Sequence, residues 1–309
     1  MNYFEDLEDF SFKVGEKVVV VDSKERHYVF KLRTNASFHT NNGTVSHNDI
    51  IGKVEGETVL SSKLSPHVVF RPTLSDIIFK MPRGAQVIYP KDIGPILIEL
   101  DLFHGANVLE SGVGSGALSI ALLRSGAKVI GYEIREDFRE IAMKNVLESF
   151  GCNLLSESNT LLNDLQSQSE PTFSDAYTGN LSSRDVYRND QSSNTNLASN
   201  YMVKIADIYN GIDENSLDRI VLDLPEPWKV VMHAQQSLKP GGILVCYLPT
   251  INQTSTLVEE IRQSSFKLMR VFEVIERDWK VNGKVVRPEQ RIVGHTGFIT
   301  SARLTNQPQ

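Results

Sequence analysis

The chain has 309 residues, of which 40% are apolar, 8% aromatic and 23% charged. This composition is typical of a globular protein with a substantial core, and it excludes a collagen, a coiled coil and a wholly disordered chain. The length suggests two domains, or one large domain with an appendage. The sequence has no apolar run long enough to cross a bilayer and begins with acidic residues, so we predict a cytoplasmic protein without a membrane partner.

Charge is distributed unevenly along the chain. The formal net charge of −6 argues mildly against a nucleic-acid partner. Residues 270–309, however, contain 7 Lys and Arg against 4 Asp and Glu, an excess of three positive charges, so a local basic surface is still compatible with the sequence. The two cysteines, Cys152 and Cys246, lie far apart, which excludes a disulfide framework and predicts no metal site.

The first part of the chain is rich in β-branched residues. Residues 13–33 contain two such runs separated by a turn-like segment at Asp22–Glu25, and further short runs follow to Phe70. We therefore predict a small all-β domain at residues 1–75.

From Ile93 the pattern changes to alternating strands and helices. We predict strands at 107–110, 128–132, 202–205, 219–222 and 243–247, and helices at 117–124, 136–150, 228–238 and 253–264. This alternation predicts a parallel sheet with helices on both faces, which binds its ligands at the carboxyl ends of the strands. The domain is predicted to span residues 76–304. Its segment 153–200 holds 10 Ser, 8 Asn, 4 Thr and 3 Gln, and we interpret it as a solvated polar insert.

A glycine-rich loop follows the first predicted strand of this domain. Glu110, Gly112, Gly114 and Gly116 stand between that strand and a helix. Glycines suit this turn because a bound nucleoside approaches the backbone closely there. The spacing from Gly112 to Ala117 also satisfies a dinucleotide fingerprint, which leaves a nicotinamide-dependent oxidoreductase open.

Acidic residues stand at the ends of three successive strands. Glu110 ends the first, Glu133 ends the second, where it can accept both ribose hydroxyls of an adenosine, and Asp207 follows the third, where it can accept from the adenine amino group. Together they predict an adenosine-containing cofactor.

The fourth strand leads into Asp223, followed by Pro225, Pro227 and Trp228. A carboxylate held by two prolines beside an indole can form a platform on which a planar base stacks while its amino group meets the acid. A dehydrogenase has no obvious use for this arrangement. In the alternative interpretation, the prolines and the indole only end the strand and cap the core.

Several stretches together resemble the tRNA (adenine-N1)-methyltransferases that modify adenosine 58 in the T loop. They are MPRGAQVIYPKD at 81–92, the glycine loop at 109–118, Tyr132 with Glu133, DLPEPW at 223–228, Arg287 with Pro288, and GHTGF at 294–298. The resemblance covers about 13 to 304 except the insert. It implies a class I Rossmann-like methyltransferase sheet (an α/β fold) with a small N-terminal β domain, S-adenosyl-L-methionine as cofactor, tRNA as substrate and a homotetramer.

The residues and this resemblance together predict a cofactor site and one catalytic residue. The predicted cofactor contacts are Gln86, Tyr89, Glu110, Gly112, Gly114, Ser115, Gly116, Ala117, Leu118, Glu133, Phe138, Asp207 and Asp223. Neutral adenine N1 is already a nucleophile, so alignment supplies much of the acceleration. Methylation makes the base cationic, and a fixed anion stabilises that developing charge. We predict that Asp223 is this anion and accepts a hydrogen bond from N6–H.

A second set of residues is predicted on the tRNA side of the site. Arg83, Lys91, Arg287 and Arg291 are candidate phosphate contacts or merely solvated cations, and Pro225 and Trp228 are candidates for contact with the base. His295 is interpreted equally well as an RNA contact or as a structural histidine. Two further functions stay open: a class I methyltransferase for another acceptor, and a non-catalytic tRNA-binding subunit.

Overall fold

The computed structural model describes residues 10–84, 86–150 and 200–306. These residues form two compact units, one of residues 10–81 and 147–150, the other of residues 82–146 and 200–306. The predicted insert 153–200 lies outside the described residues except for Asn200.

The first unit consists mainly of antiparallel strands. Its elements are β1 (Lys17–Asp22), β2 (His27–Lys31), β3 (Ser37–Thr40), β4 (Gly43–Ser46), β5 (Thr58–Leu60), β6 (Pro66–Phe70) and helix α1 (Leu74–Lys80). Four strands form a sheet in the order β2-β1-β6-β5, and β3 and β4 form a separate hairpin. The predicted turn between the first two strands is confirmed, because the Asp22 carboxylate accepts hydrogen bonds from the backbone N–H of Lys24 and Arg26.

The second unit is built around a seven-stranded sheet. The strands of this sheet are β7 (Asn107–Ser111), β8 (Lys128–Glu133), β9 (Tyr201–Ile205), β10 (Leu217–Leu222), β11 (Leu238–Leu248), β12 (Phe266–Glu273) and β15 (Phe298–Leu304). Two further strands of the unit, β13 (Trp279–Asn282) and β14 (Val285–Pro288), form a separate hairpin. Its helices are α2 (Pro90–Glu99), α3 (Ala117–Arg124), α4 (Glu136–Ser149, whose last turn belongs to the first unit), α5 (Val231–Ser237) and α6 (Ile251–Arg262). The sheet order is β12-β15-β11-β10-β7-β8-β9. We call residues 274–297, which join β12 to β15 and carry the β13–β14 hairpin, the arm.

The order of strands reverses between β7 and β10. The chain adds β8 and β9 on one side of β7 and then returns to place β10 and β11 on the other side, all in parallel. The predicted class of fold, strands and helices in alternation, is confirmed. Ligands of such sheets bind where the order reverses, at the carboxyl ends of the strands. Those ends carry Gly112 after β7 and Asp223 after β10.

Two details of the prediction are wrong. The sheet is mixed, since β15 pairs antiparallel with both β11 and β12. The helix predicted at 228–238 is shorter: Pro227–Val230 form a 3-10 turn, and α5 begins at Val231. Pro227 is the first residue of this 3-10 turn, where its missing N–H would have no partner in the turn in any case.

The core of the second unit lies on the central strands. Fully buried side chains include those of Leu109, Ile130, Ile220, Leu222 and Leu244. Burying a side chain of this size contributes about 1.5–3 kcal/mol, so the strands hold the loops at their carboxyl ends on a rigid base. Within the described ranges, no helix has both the length and the hydropathy to cross a membrane.

Candidate active site

The glycine loop adopts backbone conformations that only glycine takes easily. Gly112, Gly114 and Gly116 have φ of +84°, +54° and +80°. A Cβ on Gly112 would lie 2.1 Å from the backbone oxygen of Asp223, whereas a Cβ on Gly114 would meet its nearest atom only at 4.0 Å. Gly112 therefore allows the loops after β7 and β10 to touch, and the space in front of Gly114 is open.

A pocket opens along this loop. Its lining residues are Gln86, Val87, Ile88, Glu110, Gly112, Val113, Gly114, Ser115, Ala117, Leu118 and Asp223. Eight of these are predicted cofactor contacts, and the structure brings them together. The sequence reasoning did not identify Val87, Ile88 and Val113, because apolar side chains in buried segments carry no signal that distinguishes a pocket wall from a core.

The Glu133 carboxylate is held at the rim by three backbone donors. Its Oε2 lies 3.1 Å from the backbone nitrogen of Gly114, and its Oε1 lies 2.9 Å and 3.1 Å from those of Ile134 and Arg135. These bonds fix the carboxylate beside the glycine loop. Oε1 accepts two of these bonds and Oε2 accepts one, so Oε2 keeps a lone pair that can accept from a ligand hydroxyl.

Two carboxyl groups in the pocket have raised pKa values. Burial raises the pKa of Glu110 to about 8, and the charges of Asp223 and Glu133 add to the effect. The Ser119 hydroxyl donates to Glu110 and partly offsets it. Burial raises the pKa of Asp223 to about 7. Near pH 7, Glu110 is therefore mainly neutral, while Asp223 is poised between its neutral and charged forms.

The loop that carries Asp223 is fixed from three directions. The Asp223 N–H donates to the backbone oxygen of Ser111, the Glu226 N–H donates to the Tyr209 hydroxyl, and the Gln253 side-chain amide donates to the backbone oxygen of Pro225. Sequence reasoning did not identify Tyr209 and Gln253. Only the packing of distant segments brings them to this loop.

Asn145 on α4 connects the pocket's two sides. Its Nδ2 lies 2.8 Å from the backbone oxygen of Pro82 and 2.9 Å from that of Ser115. Pro82 begins the segment that leads to Gln86, and Ser115 belongs to the glycine loop. Asn145 is 2% exposed, and a single buried asparagine within a helix gives no sequence signal for this contact.

The remaining predicted cofactor residues lie around the pocket rather than in its lining. Gly116 is the N-cap of α3, Tyr89 is the N-cap of α2, and Asp207 is exposed and accepts from the Tyr209 N–H. Phe138 is buried under the Arg135 guanidinium and packs against Gly84, where a Cβ would lie 2.6 Å from its ring. Phe138 thus supports the backbone of the segment that precedes Gln86.

Three of the four predicted phosphate-binding cations are exposed. Arg83 lies three residues before Gln86, which begins the pocket segment (Gln86, Val87 and Ile88), and Arg287 and Arg291 lie on the arm. The structure contradicts the prediction for Lys91. The Lys91 side chain is 6% exposed, and its ammonium donates to the Asp92 carboxylate and to two further oxygens, so a phosphate cannot reach it.

His295 and Trp228 both have internal contacts. The Nδ1 of His295 lies 2.8 Å from a Glu273 carboxylate oxygen, and Nε2 lies 2.8 Å from the backbone oxygen of Pro249. Both partner oxygens accept hydrogen bonds and raise the pKa of His295. The ring is also exposed at the surface, so the geometry is compatible with both interpretations of this residue. Trp228 is half-buried and packs against the core, while Pro225 is exposed.

Two family models match the chain. One, described as TrmI-like N-terminal, matches residues 11–59, and the other, described as tRNA methyltransferase complex GCD14 subunit, matches residues 68–176 and 177–286.

Similar proteins are found in archaea and bacteria. The tRNA (adenine(57)-N(1)/adenine(58)-N(1))-methyltransferase TrmI of Methanocaldococcus jannaschii is 34% identical over 294 residues, which are 94% of this chain and 95% of the relative. The tRNA (adenine(58)-N(1))-methyltransferase TrmI of Thermus thermophilus is 31% identical, with 93% and 96% covered.

Two solved structures are similar over almost their whole length. The tRNA (m1A58) methyltransferase TrmI of Aquifex aeolicus has a TM-score of 0.73 and 27% identity, with 96% of this chain and 100% of that chain covered. A SAM-dependent O-methyltransferase of Thermotoga maritima has a TM-score of 0.77 and 26% identity, with both chains covered completely.

Proposed function

Because the chain belongs to the family of S-adenosylmethionine-dependent tRNA (adenine-N1)-methyltransferases, we propose that it transfers a methyl group from S-adenosylmethionine to N1 of adenosine 58 in the T loop of tRNA. In this proposal residues 1–75 form the small β domain and residues 76–304 the catalytic domain. A single observation carries the assignment of the site: the backbone of Asp223 is in contact range of Gly112, within the lining of the glycine-loop pocket.

The pocket residues fit the cofactor. The space in front of Gly114 is open, and Ser115 Oγ is buried without a hydrogen-bond partner among the described residues. When bound, S-adenosylmethionine supplies a methyl group on a positively charged sulfonium. Glu133 is the residue that we assign to the ribose hydroxyls and Asp207 the one that we assign to the adenine amino group. Eight of the other predicted cofactor residues line the pocket.

Asp223 is the catalytic residue in this proposal. Its carboxylate accepts a hydrogen bond from N6–H of the target adenine and so orients N1 toward the methyl group. As the N1–CH₃ bond forms and the sulfonium S–CH₃ bond breaks to leave a neutral thioether, the positive charge passes to the base. The nearby anion lowers the energy of that charge in a poorly solvated pocket. Asp223 then takes the proton from N6 after transfer. The target adenine must leave its stack to reach the pocket. The exposed Pro225, two residues after Asp223, is the residue that we assign to contact with the base.

The exposed cations support RNA binding. Arg83, Arg287 and Arg291 are the residues that we assign to tRNA phosphates. The hairpin of the arm also exposes apolar side chains, with Trp279 58%, Val281 70% and Val286 60% exposed. Exposed apolar surface of this kind is usually covered by a partner, which supports the homotetramer of our proposal. A tRNA substrate also supports a cytoplasmic location.

The proposed function is tested by transfer of a labelled methyl group to unmodified tRNA, followed by nuclease mapping. We expect label in 1-methyladenosine at position 58. The same digest shows whether adenosine 57 is modified as well, as the name of the Methanocaldococcus relative describes for that protein. Cofactor binding without transfer to any tRNA would contradict the proposal. That outcome would indicate that the protein transfers the methyl group to an acceptor other than tRNA.

A second candidate is transfer to an oxygen atom, because the Thermotoga structure is described as an O-methyltransferase. The mapping distinguishes the two, since an O-methylated nucleoside differs chemically from 1-methyladenosine. The nicotinamide-dependent alternative is wrong, because the relatives and the family are methyltransferases. The glycine loop and Asp223 are both present, which argues against a non-catalytic subunit.

The pKa of Asp223 predicts how activity depends on pH. Its raised value of about 7 means that acid removes the anion that the mechanism needs. We expect kcat/KM, measured at subsaturating cofactor and tRNA, to rise about tenfold per pH unit below pH 7 and to level off above it. Glu226→Gln should show the same profile, since that exposed acid is not part of the mechanism. A flat profile across pH 7 would contradict the assigned role.

A further inference from the structure

A buried polar cluster lies directly beside the pocket segment. It consists of Lys91, Asp92, Tyr247 and Thr296, and we call it the α2 cluster. The Asp92 carboxylate is fully buried and accepts from the Lys91 ammonium at 2.8 Å, from the Thr296 hydroxyl at 2.6 Å and from the Tyr247 hydroxyl at 3.3 Å. None of these residues takes part in the mechanism described above.

The cluster attaches both ends of the arm to α2. The Lys91 ammonium donates its other two protons to the backbone oxygen of Val274, at 2.7 Å, and to the Thr296 hydroxyl, at 2.6 Å. Val274 begins the arm and Thr296 lies next to its end. Between them the chain carries the hairpin and the exposed Arg287 and Arg291.

The same turn of α2 fixes one wall of the pocket. Lys91 and Asp92 belong to the first turn of this helix, and Gln86, Val87 and Ile88 precede it directly and line the pocket. Only Tyr89 and Pro90 separate this wall from the ion pair. A change in the position of the first turn therefore moves the pocket wall and the base of the arm together.

A buried ion pair is an inefficient way to stabilise a fold, because removing two charges from water costs about as much as their attraction returns. What a buried ion pair contributes is a defined geometry of the side chains that form it. The Thr296 hydroxyl accepts from Lys91 and donates to Asp92, so that the three side chains have one mutually satisfied arrangement.

We propose that the α2 cluster is a positioning device that couples the cofactor pocket to the RNA-binding arm. Thr296 is its positioning residue, since its hydroxyl joins the helix to the arm. The predicted effect on cofactor binding can be measured without RNA. The predicted effect on RNA binding rests on the proposed function, in which tRNA is the substrate.

The test compares Thr296→Val, which removes the hydroxyl but keeps the shape, with Thr296→Ser, which keeps the hydroxyl. We measure the Kd for S-adenosylhomocysteine by calorimetry without RNA, and the KM for tRNA in methyl transfer. Thr296→Val removes two hydrogen bonds, one accepted from Lys91 and one donated to Asp92, and is expected to raise both constants by at least about tenfold. Thr296→Ser is expected to keep both within about twofold of the unchanged protein.

Two further variants serve as controls, one for cofactor binding alone and one for tRNA binding alone. Gln86→Ala should weaken only cofactor binding, and Arg287→Ala should weaken only tRNA binding. If Thr296→Val changes one constant only, or lowers the thermal unfolding midpoint without changing either, the coupling is overturned. Thr296→Ala serves as a second variant if the valine variant does not fold. If the unchanged protein methylates no tRNA, the proposed function fails, while an unaltered Kd in Thr296→Val still overturns the coupling by itself.

Discussion

Asp223→Asn is expected to lower the turnover of methyl transfer by about 10²- to 10³-fold while the Kd for S-adenosylhomocysteine changes little. Asparagine keeps the shape of the side chain and one acceptor oxygen, but it has no charge. It therefore cannot offset the positive charge that develops on the adenine, nor take the proton from N6. Single-turnover transfer to tRNA measures the first effect, and calorimetry measures the second.

Glu226→Gln is the matched control for this substitution. Glu226 lies in the same loop, but it pairs with the exposed Lys229, where solvent screens its charge. Removing this charge should leave turnover within about twofold of the unchanged protein. Near-normal turnover in Asp223→Asn would remove Asp223 from the mechanism. A parallel loss of cofactor affinity would make it a cofactor-binding residue instead.

The sequence predicted those parts of the fold that depend on local patterns. The strands and helices around the glycine loop agree with the structure within one or two residues, because buried β-branched runs and amphipathic helices have characteristic periods. Glu110 and Glu133 lie at the carboxyl ends of strands and Asp223 directly follows one, so the parallel topology was enough to bring them to one edge of the sheet.

The remaining parts depend on contacts between segments that are distant in sequence. Asn145, Tyr209 and Gln253 fix the loops of the site, and each looks like an ordinary polar residue in the sequence. The sequence reasoning missed those three residues, whereas it wrongly predicted a binding role for Lys91. A lysine in a predicted binding segment suggested a phosphate contact, yet tertiary packing places it in an internal ion pair with Asp92. Local patterns do not distinguish an exposed cation from a buried one that has found its partners.

The close approach of Gly112 to Asp223 predicts the second large effect. A Cβ at Gly112 would lie 2.1 Å from the Asp223 backbone oxygen. The contact needs at least 3.0 Å, so the loop after β10 must move by about 1 Å. A displacement of that size in a reacting group costs about 10²-fold in rate. We expect Gly112→Ala to lower turnover by this factor and to weaken binding of S-adenosylhomocysteine as well, because the same loop lines the pocket.

Gly105→Ala separates this clash from backbone strain. Gly105 has φ of +81°, close to the +84° of Gly112, but a Cβ there meets no atom within 4 Å. Both substitutions therefore carry the strain of a left-handed alanine, about 1–2 kcal/mol, and only Gly112→Ala carries the overlap with Asp223. Thermal unfolding should show the shared loss of stability, whereas transfer kinetics should separate the two variants. If both variants turn over at the same rate, the contact between the two loops does not position Asp223. Catalysis must then depend on the carboxylate alone and tolerate a shift of its backbone.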